Sequence, residues 1–294
     1  MTIPISRRTA LLGSLLVAPA LLGPRALARA LSDADAQASF AALERDNGGR
    51  LGVFILNVAT GARVSHRADE RFALCSTSKF LAAALVLTRV DRGEERLDRR
   101  VIFSADNLVA YSPATEKRVG EAGMTVAEIC EAALTLSDNT AENLLLGSFG
   151  GPARLTDYAR SLGDGLTRLD RTETALNEAT PGDPRDTTTP AAMLENLRKI
   201  VLGDALSKTS REQLIAWMVA NKTGDKRLRA GLPKDWRVGD KTGSGGHNTT
   251  NDIAVVWPPS GGPLIVTAYY AESPASDDQR NGVLAEVGRL AGRM

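Results

Sequence analysis

Apolar and polar positions divide the chain into a strand-like start, a long helical middle and a strand-like close. Leu51-Gly-Val-Phe-Ile-Leu-Asn-Val and Gly61-Ala-Arg-Val-Ser-His read as two strands, with a hairpin-turn signature at Ala59-Thr60-Gly61. Ahead of them the alanine-rich residues 33–44 read as a helix. From about Ser76 to Asn221 the period becomes helical. Residues 79–90 are almost wholly apolar, which predicts a helix buried on all sides. Thr125-Val-Ala-Glu128 has the form of a capping box for a helix through Leu134, and Ser210-Arg-Glu-Gln213 repeats it. Thr189-Pro190 places an N-cap before a proline at the first helical position. Strands return at 251–257 and 263–271, joined by Pro258-Pro-Ser-Gly-Gly262, and 280–294 closes the chain as an amphipathic helix.

Antiparallel strands at the two ends must find each other. The pattern therefore predicts a discontinuous α/β domain, an antiparallel sheet flanked by helices, built from residues 31–74 and 222–294. Residues 75–221 would form an inserted all-α domain. Within it residues 168–189 fit neither period. They form a polar loop with Pro181, Gly182 and Pro184, and loops of this length are usually functional or disordered; its core, 168–186, is assigned to the helical domain.

Composition is ordinary for a soluble globular chain of 294 residues, with 43% hydrophobic and 24% charged. Charge changes the picture at the N-terminus. Residues 1–30 hold Arg7, Arg8, Arg25 and Arg29 and no acid, so the remainder carries −3 against +1 for the whole chain. That balance speaks against nucleic-acid and anionic-membrane partners. Ser6-Arg7-Arg8-Thr9-Ala10-Leu11-Leu12 is close to a twin-arginine export signal, an apolar run follows, and Ala28-Arg29-Ala30 offers a cleavage site. The expectation is a removed signal peptide, a mature protein free of the membrane, and a periplasmic or secreted bacterial location. Cys75 and Cys130 are expected as free, buried thiols. His66 and His247 lack metal-ligand spacing, so no metal and no cofactor is expected.

The chemistry starts at Cys75-Ser76-Thr77-Ser78-Lys79, the one Ser-x-x-Lys in the chain. It stands where the buried helix begins, so Ser76 and Lys79 share a face and Ser76 meets the helix N-terminus. A serine hydroxyl needs an adjacent base, and Lys79, desolvated at the head of an apolar helix, is expected to give up its proton more readily than a free lysine. One such motif arises about once by chance in a chain of this length. Ser137-Asp138-Asn139, at the end of the helix that Thr125 opens, and Lys241-Thr242-Gly243, ahead of the strand at Asn251, are rarer. In this order the three resemble the motif set of class A β-lactamases and penicillin-binding proteins.

The resemblance extends over nearly all of the chain beyond the leader. Glu173-Thr-Ala-Leu-Asn177, in the long loop, matches the class A Glu-x-x-Leu-Asn pattern, and Tyr111-Ser-Pro, Gly150-Gly-Pro152 and 250–257 are similar to that family. Arg171 and Asp186 stand where family members tie the loop with an ion pair. The resemblance implies an active site between an α/β and an all-α domain, and a monomer acting on a small β-lactam. It assigns Ser76 as nucleophile, Ser137 as proton relay to the ring nitrogen, and Glu173, with Asn177, as the group that activates the deacylating water. The backbone amides of Ser76 and Ser244 would form the oxyanion hole. Lys241, Thr242 and Ser244 would hold the substrate carboxylate. Asn139 and the strand through Gly243 would grip the amide side chain, with Tyr111 at the rim. Whether Lys79 or Glu173 is the base for acylation stays open.

Rival functions must use the same residues. A Ser-His-Asp hydrolase lacks the Gly-x-Ser-x-Gly elbow here. A β-lactam sensor or penicillin-binding protein acylates without efficient turnover, and Glu173 is the feature that argues against it. Two departures touch specificity. Many class A members carry an arginine where this chain has Thr250; Arg227 stands where others supply that charge, and is expected to meet the substrate carboxylate. Carbapenem-hydrolysing members bridge the cysteine equivalent to Cys75 to a partner whose place is taken here by Gly245, and the family partner of Cys130 is here Ala83. No carbapenemase activity is expected on that ground.

Overall fold

The structure is a computed structural model that describes Met1 and residues 32–294, with Glu121 described by its backbone alone. The expected leader, with Arg7, Arg8 and Ala28-Arg29-Ala30, lies outside the described residues. The first elements are helix α1 (Asp33–Asn47), strands β1 (Arg50–Asn57) and β2 (Arg63–His66), and the two-residue strand β3 (Phe72–Ala73). The middle holds α2 (Ser78–Asp91), strands β4 (Arg100–Phe103) and β5 (Gly120–Thr125), and helices α3 (Val126–Thr135), α4 (Asn139–Phe149) and α5 (Pro152–Ser161). Strand β6 (Thr187–Thr188), α6 (Pro190–Leu197) and α7 (Lys208–Val219) follow. The chain returns through α8 (Leu228–Gly231) to β7 (Arg237–Gly245), β8 (Thr249–Trp257) and β9 (Leu264–Ala271), and ends on α9 (Asp277–Ala291).

Strands from both ends make one five-stranded sheet in the order β2-β1-β9-β8-β7, every neighbour antiparallel. This is the discontinuous α/β architecture that the end-to-end strand pattern predicts. The β1–β2 turn is set by Asn57, whose side-chain oxygen accepts the amides of Ala59 and Thr60 at 3.1 Å each. Both faces of the sheet are covered, so β8 and β9 are buried along almost their whole length. Ile253 and Val255 join the core shared with the helices of the middle, whereas Ala254 and Val256 join the core under α1 and α9. Helix α2 is the spine of the first core: Phe80, Leu81, Val86 and Leu87 are all fully buried. Among the described residues no helix is long and apolar enough to cross a membrane.

Three local expectations need correction. Helix α7 is capped by Ser207, whose hydroxyl accepts the Ser210 amide, and Ser210 lies inside the helix. Both hydroxyls reach Asp91, at 2.7 and 2.6 Å, which anchors the helix start one turn earlier than the Ser-x-x-Gln pattern suggests. The middle is not wholly helical, because β4 and β5 pair across a bulged, glycine-bearing segment that shows no apolar alternation. Ser137-Asp138-Asn139 is less the end of α3, which stops at Thr135, than the start of α4: the Asp138 carboxylate caps the Ala141 amide at 2.8 Å.

Candidate active site

A single turn of 3-10 helix, Cys75–Thr77, joins β3 to α2 and carries Ser76. Lys79, one turn on, is fully buried and its Nζ donates to Ser76 Oγ at 2.7 Å and to Asn139 Oδ1 at 2.9 Å. Glu173 Oε1 accepts from the same ammonium and lies 3.5 Å from Ser76 Oγ. The loop is built to hold Glu173 there. Asn143 of α4 clamps its backbone, accepting the Glu173 amide at 2.8 Å and donating to its carbonyl at 2.9 Å. Asn177 donates to the other carboxylate oxygen, Glu173 Oε2. The ends of the loop are closed by Asp186, which accepts the Asp170 amide, the Arg171 amide and Arg171 Nε at 2.7, 2.9 and 2.6 Å.

Opposite, Asp138 pins the start of α4 through the Thr115 hydroxyl and the amides of Ala114 and Thr115, each at 2.9 Å. Ser137, with φ of 59°, is held in the left-handed region beside that cap. It accepts a hydrogen bond from Lys241 Nζ at 2.9 Å, which ties α4 to β7. Strand β7 itself was legible only as the stretch around Lys241-Thr242-Gly243, since charged Asp240 and Lys241 are both buried in it. Arg227, in the turn before α8, donates to Ser244 Oγ at 2.7 Å, Gly243 O at 2.7 Å and Asn251 O at 2.6 Å. A cleft of about 380 Å³ opens between these groups, lined by Ser76, Tyr111, Ser137, Asn139, Asn177, Thr223, Arg227, Thr242, Gly243 and Ser244. Lys79, Glu173 and Lys241 lie directly behind that wall, so the twelve residues singled out in the sequence meet in one place.

The electrostatics correct one expectation. Burial works to strip the proton from Lys79, but the carboxylates of Glu142 and Glu173 outweigh it, so the ammonium is held above the ordinary lysine range. Lys79 is thus a hydrogen-bond donor to Ser76 and a reluctant base. Lys241 goes the other way: burial first, then the charge of Lys79, pushes it down to about 7. Burial likewise lowers Arg227 and lifts the Cys75 thiol to about 12. Cys75 and Cys130 are both buried and unpaired.

Three participants were not singled out in the sequence. Asn143 and Glu142 follow Asn139 on α4, and only the packing of that helix gives them partners, the loop for Asn143 and α2 for Glu142. Thr223 places its hydroxyl 2.5 Å from that of Thr242. It belongs to a second Lys-Thr-Gly, at 222–224, whose lysine is exposed while Lys241 is buried.

A model of the β-lactamase enzyme family matches residues 35–293. β-Lactamase OXY-2 of Klebsiella oxytoca is 50% identical over 248 residues, covering 84% of this chain and 85% of that protein. β-Lactamase Toho-1 of Escherichia coli is 50% identical over 254 residues, 86% of this chain and 87% of its own. Among solved structures, an ancestral class A β-lactamase is similar with a TM-score of 0.85 and 65% identity, covering 87% of this chain and 98% of that one.

Proposed function

The chain belongs to the class A β-lactamase family and is a hydrolase, and from that premise we propose that it opens the β-lactam amide of penicillins and cephalosporins through an acyl-enzyme on Ser76. The observation that carries the mechanism is the position of Glu173. It is 3.5 Å from Ser76 Oγ, too far for a firm direct hydrogen bond and suited to acting through one water. With Lys79 kept as an ammonium, Glu173 is the base for both halves of the reaction. It takes the Ser76 proton as Oγ attacks the carbonyl carbon, and later deprotonates the water that attacks the ester. The buried Asn177 Oδ1, which has no protein partner, is a free acceptor for that water.

The amides of Ser76 and Ser244 face the carbonyl oxygen as it gains charge; one such donor is worth about 3–4 kcal/mol in serine hydrolases. As the C–N bond breaks, Ser137 passes a proton to the ring nitrogen and is recharged from Lys241, its hydrogen-bond donor at 2.9 Å. Glu173 then releases the Ser76 proton to solvent and Lys241 takes one up, so that Glu173 is again a carboxylate for deacylation. It returns the water's proton to Ser76 Oγ as the ester breaks. Lys241, Thr242, Ser244 and Arg227 take the substrate carboxylate; Asn139 and the edge of β7 at Gly243 take the amide side chain, with Tyr111 at the rim. A sensor that stays acylated would have no use for a loop clamped so firmly around Glu173. The protein acts as an exported monomer, free of the membrane, sent out by a twin-arginine signal over residues 1–30. Its working parts are an α/β domain, 31–74 with 222–294, and a mainly helical domain, 75–221, that also holds the β4–β5 pair.

Intact-mass spectrometry after mixing with benzylpenicillin tests the assignment. Glu173→Ala is expected to gain one penicilloyl group, mapped to Ser76, and Ser76→Ala none. An adduct on any other residue overturns it.

A further inference from the structure

Glu142 is a fully buried carboxylate that the reaction as described does not use. It projects from α4 onto Lys79, with Oε2 3.2 Å from Nζ in an ion pair whose alignment falls short of a hydrogen bond. Its other oxygen, Oε1, accepts the Ser78 hydroxyl at 2.6 Å. Lys79 therefore faces two carboxylates in a dry environment, Glu173 from the loop and Glu142 from the helix. One counter-ion would neutralise it. A second buried carboxylate beside the first is costly unless a proton is shared among the three groups.

The surroundings of Glu142 suit either charge state. Ser78 Oγ lies between Glu142 Oε1 and the Cys75 carbonyl oxygen, 2.9 Å away on its other side. When Glu142 is ionised, Ser78 donates to it. When Glu142 is protonated, it can donate to Ser78 Oγ, which then turns its own hydrogen to the Cys75 carbonyl. Glu142 Oε1 and the Ser78 hydroxyl stay hydrogen-bonded in either arrangement.

We infer that Glu142 is a positioning residue of this site, a second carboxylate that shares Lys79 with Glu173 and so sets the protonation state of the Ser76–Lys79–Glu173 centre. The charged groups around it are Lys79 on α2, Glu173 on the loop and, through its field, Lys241 on β7. Burial, relieved by Lys79 and reinforced by Glu173, lifts its carboxyl to about 7, so it takes up a proton as pH drops through neutrality. Above that pH its charge adds to that of Glu173 in keeping Lys79 an ammonium and leaving Glu173 as the base. The inference rests on the proposed reading only for what that centre does.

The test follows Lys79 and Glu142 by carbon-13 NMR in the substrate-free protein, and the pH profile of kcat/KM for a penicillin ester, whose binding does not draw on the charge of Lys241. Glu142→Gln keeps the shape and the Ser78 contact and removes the charge. It is expected to lower the Lys79 titration by about 1–3 pH units and to move the alkaline limb of the profile down with it. Glu142→Asp, which keeps the charge, should restore both toward the parent. In the unmodified protein the Glu142 carboxyl should titrate near neutrality, which needs no variant to fold. A Lys79 titration unmoved in Glu142→Gln, a rate profile lowered uniformly without change of shape, or a Glu142 carboxyl titrating in the ordinary carboxylate range each overturns the inference. All NMR readouts are made without substrate, so a failure there is distinct from an unmodified protein that does not hydrolyse β-lactams, which would sink the functional reading instead.

Discussion

Replacing Asp186 by alanine should loosen the loop that carries Glu173 and slow the second half-reaction more than the first. The Asp186 side chain is 1% exposed and accepts three hydrogen bonds, from the amides of Asp170 and Arg171 and from Arg171 Nε. Alanine leaves two amides and a guanidinium without their acceptor. Breaking a buried pair from one side costs about 3–5 kcal/mol. Arg171 is 17% exposed and keeps Glu178 as a second partner, which places the loss toward the lower end of that range. For a domain of this size that is a fall in Tm on the order of 10 °C. The chemical effect is separate from the global one. Glu173 stands two residues beyond Arg171, and a displacement of about 1 Å is worth roughly a hundredfold in rate. The Glu173 backbone would keep its Asn143 clamp, so acylation should suffer less than deacylation, where Glu173 and Asn177 act together on a water. Thermal unfolding, with stopped-flow acylation and quenched-flow mass spectrometry of the acyl-enzyme, reads both effects. An alanine variant within 1 kcal/mol of the parent that deacylates at the parent rate would refute the role given to this tether.

Lys241 gives a pH prediction. Its folded-state pKa, about 7, lies below its ordinary value of 10.5, so between these limits the unfolded chain binds more protons and stability gains as pH rises; the cost of the buried ammonium is full below pH 7. Binding runs the opposite way: KM for an anionic penicillin should climb above pH 7 by up to about tenfold per unit, and a penicillin ester should show no such climb. A flat KM for the acid from pH 7 to 9 would contradict the assignment. At Gly245 an added Cβ would meet Cys75 Sγ at 2.6 Å and the Asn177 carbonyl at 2.7 Å, between the nucleophile turn and the loop. Gly245→Ala should cost about 1–3 kcal/mol by overpacking and depress kcat; calorimetry and kinetics matching the parent would show that the gap can widen freely. Arg227→Ala should raise KM for penicillins, since the guanidinium stands 2.7 Å from Ser244 Oγ at the carboxylate end of the cleft; an unchanged KM would remove Arg227 from substrate binding.

The features that were legible in the sequence are those whose meaning is local or whose spacing is rigid. Ser76 and Lys79 are one helical turn apart, so their contact follows from the motif alone. Strands β8 and β9 announce themselves because both faces are buried and their apolar runs, 253–257 and 264–271, are nearly continuous. The polar start of β8, 249–252, is buried without that signal. Asp186 and Arg171 were found through resemblance, and the structure supplies the reason, a loop whose ends need closing. Residues whose role comes from juxtaposition escaped. Glu142 reads as any acid in the first turn of a helix until α2 and the loop close over it. The same closure reverses the expected basicity of Lys79, because desolvation was visible in the apolar helix and the two carboxylates were not. Thr223 gives the converse lesson: the tripeptide Lys-Thr-Gly occurs twice, and only burial of Lys241 in the sheet separates the site from its copy.

The central claim, acylation of Ser76 followed by deacylation through Glu173, is tested most directly by a time course with a chromogenic cephalosporin. The unmodified protein should hydrolyse it over many turnovers, and Glu173→Ala should release a single equivalent, more slowly than the parent acylates, and then stall. A one-equivalent burst from the unmodified protein, or undiminished turnover by Glu173→Ala, would contradict the account.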